Sequence, residues 1–253
     1  MFAGLTDRAV FFPMRYPEGD WDVQNRIGAE DRWLRAADGV RVHSWWVAAK
    51  GSPLATVFVH GNAGNITHRA LHARAISKAG SSVLLLDYRG YGKSEGHPSE
   101  AGVYADANAA YDSVIAAGYP PAHIILHGES LGTAVAVDVA IRKKCGGVIL
   151  EAPLESARRM AAAVLPLLGP LIARGFDTKS KIGHLSAPLL IIHGDRDEVV
   201  PYLQGQAVFN AAPEPKSFWT VHGAHHNDLL ETAGPAYIER LRSFYATVAA
   251  RPC

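Results

Sequence analysis

His123-Ile-Ile-Leu126-His127-Gly128-Glu129-Ser130-Leu131-Gly132 runs from a short apolar strand into the start of a helix through the pattern Gly-x-Ser-x-Gly. A strand-to-helix turn this tight leaves no room for side chains at 128 and 132, and it puts the residue between them in strained backbone geometry. The turn lifts the Ser130 hydroxyl above the sheet and sets a helix N-terminus beneath it, where developing negative charge is stabilised. Ser130 is therefore the expected nucleophile. The plainer reading, two glycines that merely ease a turn, accounts for less, because the motif falls where an apolar strand ends and a helix begins.

The neighbouring segments repeat this design. Thr56 to Val59, Ser82 to Leu86, Val148 to Leu150, Leu189 to Ile192 and Phe218 to Val221 are short apolar runs. Helical patterns lie among them at Thr67 to Lys78, Glu100 to Ala116, residues 131 to 143, and about Asp228 to Ala249. Alternating strands and helices imply parallel βαβ units, and strands without polar alternation imply burial on both sheet faces. Arg32 to Val47 reads as an antiparallel hairpin turning at Asp38-Gly39. In such sheets the site lies at the carboxyl ends of the strands.

Three of those ends carry chemistry. A serine hydroxyl needs a base, and the base needs an orienting carboxylate, following in chain order as acid and then histidine. His193-Gly-Asp195-Arg-Asp197-Glu198-Val-Val-Pro201 follows one strand, and His222-Gly-Ala-His225-His226-Asn-Asp228 follows the next. Asp195, directly after the glycine, suits a brace of its own turn, so Asp197 is the expected acid, ahead of Asp195, Glu198 and Glu151. His222 suits a surface role, and spacing alone leaves His225 and His226 open. The third end is His60-Gly-Asn62-Ala-Gly-Asn65, whose small residues allow close backbone approach. The backbone N–H groups of Asn62 and Leu131 are the expected oxyanion donors. This loop lacks the sequence of a phosphate-binding loop.

Composition removes other classes. The chain has 253 residues, 48% of them hydrophobic and 19% charged, as in one ordinary globular domain spanning 1–253. Lys plus Arg number 25 against 24 Asp plus Glu, so no net field draws in nucleic acid. Two cysteines, Cys145 and Cys253, make no disulfide framework, and no metal-ligand spacing appears. Neither a signal peptide nor an integral membrane segment is evident. The expectation is a cytoplasmic protein without cofactor or metal; oligomeric state is not legible.

His60 to Asn65, Asp87-Tyr-Arg-Gly-Tyr-Gly-Lys-Ser-Glu-Gly96, Gly128 to Gly132, His193 to Pro201 and Gly223 to Asp228 together resemble the α/β-hydrolase superfamily. Within it, the chain is most similar to the Bem46-like abhydrolase-domain serine hydrolases, a branch that includes protein depalmitoylases. The resemblance implies an α/β-hydrolase fold: an eight-stranded, mostly parallel sheet flanked by helices, with one early antiparallel strand and a small helical cap. It also implies Asp197 as the acid and His226 as the base, with Ser130 completing a triad. The depalmitoylases of the branch carry a cysteine-rich, lipidated N-terminus, whereas this chain has no cysteine before Cys145. That departure argues against membrane anchoring and depalmitoylation.

The insert at about 155–182 is the expected cap. Its stretch Met160 to Ala173, with Leu167 and Leu168, offers an apolar wall for an acyl chain; the competing reading is a helix packed on the body. The expected activity is hydrolysis of a small-molecule carboxylic ester or thioester through an acyl-enzyme. Peptide or amide hydrolysis on the same residues, and a binding protein on a hydrolase-like scaffold, are the alternatives.

Overall fold

The structure is a computed structural model describing residues 10–164 and 174–251. In chain order the strands are β1 (Phe12–Pro13), β2 (Glu30–Arg35), β3 (Arg41–Val47), β4 (Ala55–Val59), β5 (Ala63–Gly64), β6 (Ser82–Leu86), β7 (Ile124–Glu129), β8 (Gly147–Glu151), β9 (Leu189–Gly194) and β10 (Lys216–Val221). The α-helices are α1 (Val23–Ile27), α2 (Ala70–Ala79), α3 (Glu100–Ala116), α4 (Leu131–Arg142), α5 (Ala157–Val164), α6 (Thr178–Ile182), α7 (Tyr202–Ala211), α8 (Leu229–Ala233) and α9 (Pro235–Ala249).

Eight strands form one sheet in the order β10-β9-β8-β7-β4-β6-β3-β2. Only β3 runs against the rest, pairing antiparallel with β2 and β6. The hairpin expected at Arg32 to Val47 is β2–β3, in register from Glu30 opposite Trp46 to Arg35 opposite Arg41. The inner strands β4, β6, β8 and β9 are buried along their whole length, and β7 along all but its last residue. Their alternate residues feed two cores. Val57, Val59, Leu126, Val148, Leu150 and Ile191 pack with residues of α3 and α4 on one face. Phe58, Ile125, Ile149, Leu190 and Ile192 pack with residues of α2 and α9 on the other. Burying a side chain of this size stabilises by about 1.5–3 kcal/mol, which is why both faces of a parallel sheet need cover.

The expected helix from about Asp228 to Ala249 is instead two, α8 and α9. Gly234 interrupts them at φ 54° and ψ −135°. Pro235 explains the break: it has no N–H to continue the ladder, and its ring excludes helical backbone at the residue before it. The helix expected from Thr67 begins as a 3₁₀ turn, Ile66–Arg69, capped by the Asn65 side chain. Helices α1 and α7 are additions to the sequence reading.

A second, two-stranded sheet was not legible in the sequence. Here β1 pairs parallel with β5, so the N-terminal arm lies along the loop after β4. Of the expected cap at about 155–182, the two stems are described. They meet where the Ala157 N–H donates to the Gly175 carbonyl and Lys179 N–H to the Glu155 carbonyl, both at 3.1 Å. Leu167 and Leu168 lie outside the described residues.

Candidate active site

Three β-strand ends place the side chains. Ser130 stands between β7 and α4 at φ 51° and ψ −118°, a region that non-glycine residues seldom adopt. The surroundings hold it there: its N–H donates to the Glu151 carbonyl at 2.9 Å, and its carbonyl accepts from Thr133 N–H and Oγ1 at 3.0 and 2.6 Å. The two glycines answer to close packing. A Cβ at Gly132 would overlap the carbonyl oxygen of Val59 in β4, and one at Gly128 would overlap the Gly132 carbonyl.

Asp197 follows β9 and His226 follows β10. His226 Nδ1 lies 2.7 Å from Asp197 Oδ2, and its Nε2 lies 3.1 Å from Ser130 Oγ. Asp197 Oδ1 accepts the N–H groups of Val199 and Val200 at 2.9 and 2.7 Å. His193 Nε2 lies 3.3 Å from Oδ2 while donating to the Val200 carbonyl at 3.0 Å. Burial by itself would raise the Asp197 pKa. The His193 and His226 contacts and the loop N–H groups outweigh it and hold the carboxyl well below its usual range. An ionised carboxylate only accepts, so His226 Nδ1 carries the proton and donates. In the neutral ring Nε2 is then bare and accepts from the serine hydroxyl.

The competing acids and histidines pair off separately. Asp195 Oδ2 takes His222 Nδ1 at 2.8 Å and Glu198 Oε2 takes His225 Nδ1 at 2.9 Å, both on the exposed side of the loops. Glu151 is engaged by other partners. It is buried beneath the sheet against His127 at 2.7 Å, His72 at 3.5 Å and the Tyr237 hydroxyl. Cys145 offers no alternative nucleophile, since burial pushes its thiol up to about 12.

The loop His60 to Asn65 is fixed from several sides. His60 Nδ1 donates to the Gly61 carbonyl at 2.7 Å. The Asn62 carbonyl accepts from Phe12 N–H at 2.8 Å and from the Tyr91 hydroxyl at 2.7 Å. The Asn62 side chain donates to the Val10 carbonyl at 2.9 Å, and Asn65 Nδ2 reaches the Met14 and Glu18 carbonyls at 3.2 and 2.8 Å. Gly61 lies so near the serine that a Cβ there would be 3.3 Å from Ser130 Cβ. Sequence reading missed Tyr88 and Tyr91, although the stretch Asp87 to Gly96 contains them. Their hydroxyls bond back to the loop at the His60 and Asn62 carbonyls. The N-terminal arm was missed too, for Phe12, Met14 and Glu18 act through backbone atoms and carry no motif.

No group of His, Cys, Asp and Glu among the described residues has the geometry to hold a metal ion, and no helix among them is long and apolar enough to cross a membrane.

Known proteins share this layout. Residues 52–180 match the family model described as serine aminopeptidase, S33. An uncharacterized protein of Mycobacterium tuberculosis is 34% identical over 247 residues, 96% of this chain and 88% of that one. Alpha/beta hydrolase domain-containing protein 17B of Xenopus laevis is 35% identical over 232 residues, 90% of this chain and 79% of its own. The crystallised esterase of Pyrococcus furiosus superposes with a TM-score of 0.76 at 20% identity, covering 94% of this chain and 97% of that one. The last comparison concerns fold alone. With relatives of this identity spanning most of both chains, the protein belongs to the α/β-hydrolase superfamily, in its Bem46-like branch.

Proposed function

We propose that this hydrolase cleaves a small-molecule carboxylic ester or thioester through an acyl-enzyme on Ser130. The observation that carries the reading is the unbroken hydrogen-bond chain Ser130–His226–Asp197. Ser130 Oγ attacks the acyl carbon while His226 Nε2 takes its proton. The tetrahedral adduct collapses, the bond to the alcohol or thiol breaks, and His226 returns the proton to that leaving group. Water then attacks the acyl-serine in the same way and releases the acid. Asp197 keeps His226 in the required tautomer and stabilises the imidazolium.

The oxyanion donors are the N–H groups of Leu131 and Asn62. Neither has a protein acceptor among the described residues. A trans peptide holds N–H opposite C=O, so tying the Gly61 carbonyl to His60 turns the Asn62 N–H the other way.

The family description favours a second reading, aminopeptidase action on the same residues. That activity calls for a free carboxylate to hold the substrate's α-amine. The acid next to Ser130, Glu129, is already engaged by Arg69, which favours the ester reading. An apolar cap wall built from Leu167 and Leu168 belongs to the same proposal, and a graded series of acyl esters tests it.

The deciding experiment is labelling by a fluorophosphonate probe alongside turnover of p-nitrophenyl acetate. The expected result is labelling of Ser130, with Ser130→Ala folded, unlabelled and slower by roughly a millionfold. Undiminished labelling of Ser130→Ala would end this assignment.

A further inference from the structure

The nucleophile turn and the loop after β4 are joined by one ion pair that the hydrolytic steps above leave unused. Arg69 closes the 3₁₀ turn Ile66–Arg69, which directly follows the loop His60 to Asn65. Glu129 is the residue immediately before Ser130. The guanidinium meets the carboxylate with two bonds, Nε to Oε2 at 2.5 Å and Nη2 to Oε1 at 2.9 Å. Both side chains are only 15% exposed. Glu129 also lies close to the candidate oxyanion donors. A Cβ on Gly61 would come within 3.7 Å of Glu129 Oε1 and 3.3 Å of Ser130 Cβ.

A bare carboxylate in that position opposes catalysis. Negative charge develops on the substrate oxygen in the tetrahedral state, and a like charge nearby, away from bulk water, raises the energy of that state. In the intact pair the carboxyl stays ionised: burial would raise its pKa, but Arg69 and His72 hold it below the ordinary value. Arg69 is the group that cancels it.

We propose that Arg69 is a positioning residue for the reaction, neutralising Glu129 beside the oxyanion donors. The proposal rests on the acyl-enzyme reading of Ser130. It differs from a plain structural clamp in a testable way. Either substitution breaks a clamp equally, whereas charge cancellation makes the two substitutions unequal. Removing Arg69 leaves an uncompensated carboxylate near the forming oxyanion. Removing the Glu129 charge leaves a cation there, which does no electrostatic harm.

The test is p-nitrophenyl acetate hydrolysis and fluorophosphonate labelling of wild type, Arg69→Met, Glu129→Gln, the double variant and Arg69→Lys, with circular dichroism to check folding. Arg69→Met is expected to lower kcat roughly 10- to 100-fold with KM changed less than about threefold. Glu129→Gln is expected to lose less than about threefold, and the double variant to regain most of what Arg69→Met lost. Arg69→Lys, which keeps the charge without the fork, is expected to fall nearer wild type than Met. Equal losses in the two single variants, or no recovery in the double, would overturn the proposal, as would an unaffected Arg69→Met. Should Arg69→Met fail to fold, a large loss in Glu129→Gln alone overturns it and near-wild-type turnover supports it. A wild-type protein that neither turns over ester nor takes the probe instead overturns the acyl-enzyme reading, and this proposal with it.

Discussion

At the scale of single residues, the loop after β9 offers three carboxylates, Asp195, Asp197 and Glu198, and the loop after β10 three histidines to pair with them. The structure sorts them into Asp195–His222, Asp197–His226 and Glu198–His225. Only the middle pair reaches Ser130. The buried pair also has what catalysis requires of an acid, since two loop N–H groups and His193 fix Asp197 while the outer carboxylates face water. Asp197→Asn is therefore expected to lower kcat by roughly 10,000-fold, because the amide would favour the wrong histidine tautomer. Asp195→Asn and Glu198→Gln should each lose less than about tenfold, and His225→Ala should fall far short of His226→Ala. Steady-state kinetics on a short ester would show this ranking; if the Asp195 or Glu198 variant were the most impaired, the assignment of the acid would be wrong.

At the scale of elements, the loop after β4 has only the two-residue strand β5 as regular structure and depends on its neighbours. Asn65 is the hub. Its amide nitrogen holds the Met14 and Glu18 carbonyls, while its Oδ1 accepts from the Thr67 N–H and hydroxyl at 3.0 and 2.6 Å. One fully buried side chain thus ties the N-terminal arm to the loop and caps the 3₁₀ turn that carries Arg69. Asn65→Ala is expected to destabilise the protein by about 1–3 kcal/mol through unmet buried partners. Turnover should fall as well, since the arm would no longer hold the Asn62 peptide. Urea unfolding and kcat measured together check this, and a variant with wild-type values in both would remove the arm from the site's architecture.

At the scale of the whole molecule, a second layer of charge lies under the sheet. Glu151 is buried against His127, His72 and Tyr237, drawn from β7, α2 and α9. Burial alone would raise the Glu151 pKa, but the histidines hold it well below its ordinary 4.5, and Glu151 and Glu129 hold His72 above its ordinary 6.5 against the same burial. The signs follow from linkage. A depressed carboxylate stabilises the fold above 4.5 and loses that contribution as pH falls. A raised histidine stabilises it below 6.5 and loses that contribution as pH rises through its folded value. Their joint contribution is fullest between 4.5 and 6.5. Glu151→Gln is expected to destabilise by about 3–5 kcal/mol there, because it strands buried partners, and by less on either side. Denaturant titrations across pH would reveal the peak, and a gap between the two proteins that stays flat with pH would contradict it.

The division of labour between sequence and tertiary structure follows from the range of the forces involved. Ser130 between its glycines, the apolar runs of the inner strands and the Asp38-Gly39 hairpin turn are local facts, because steric fit and the two-residue period of a strand act over a few positions. They were enough to set the sheet and to place Ser130, Asp197, Asn62 and His226 at strand ends. Pro235 was a local signal too, misread as lying within one long helix. The partners of the three acids, the hold of β1 on β5, and the burial of Glu151 and Arg69 were decided by tertiary structure alone. Asp197, Glu198 and Asp195 look alike along the chain; what separates them is which carboxylate the fold takes out of water and points at a histidine from the next strand. Arg69 and Glu129 are 60 positions apart in sequence. Only the packing of the turn after one strand against the end of its neighbour makes them a pair.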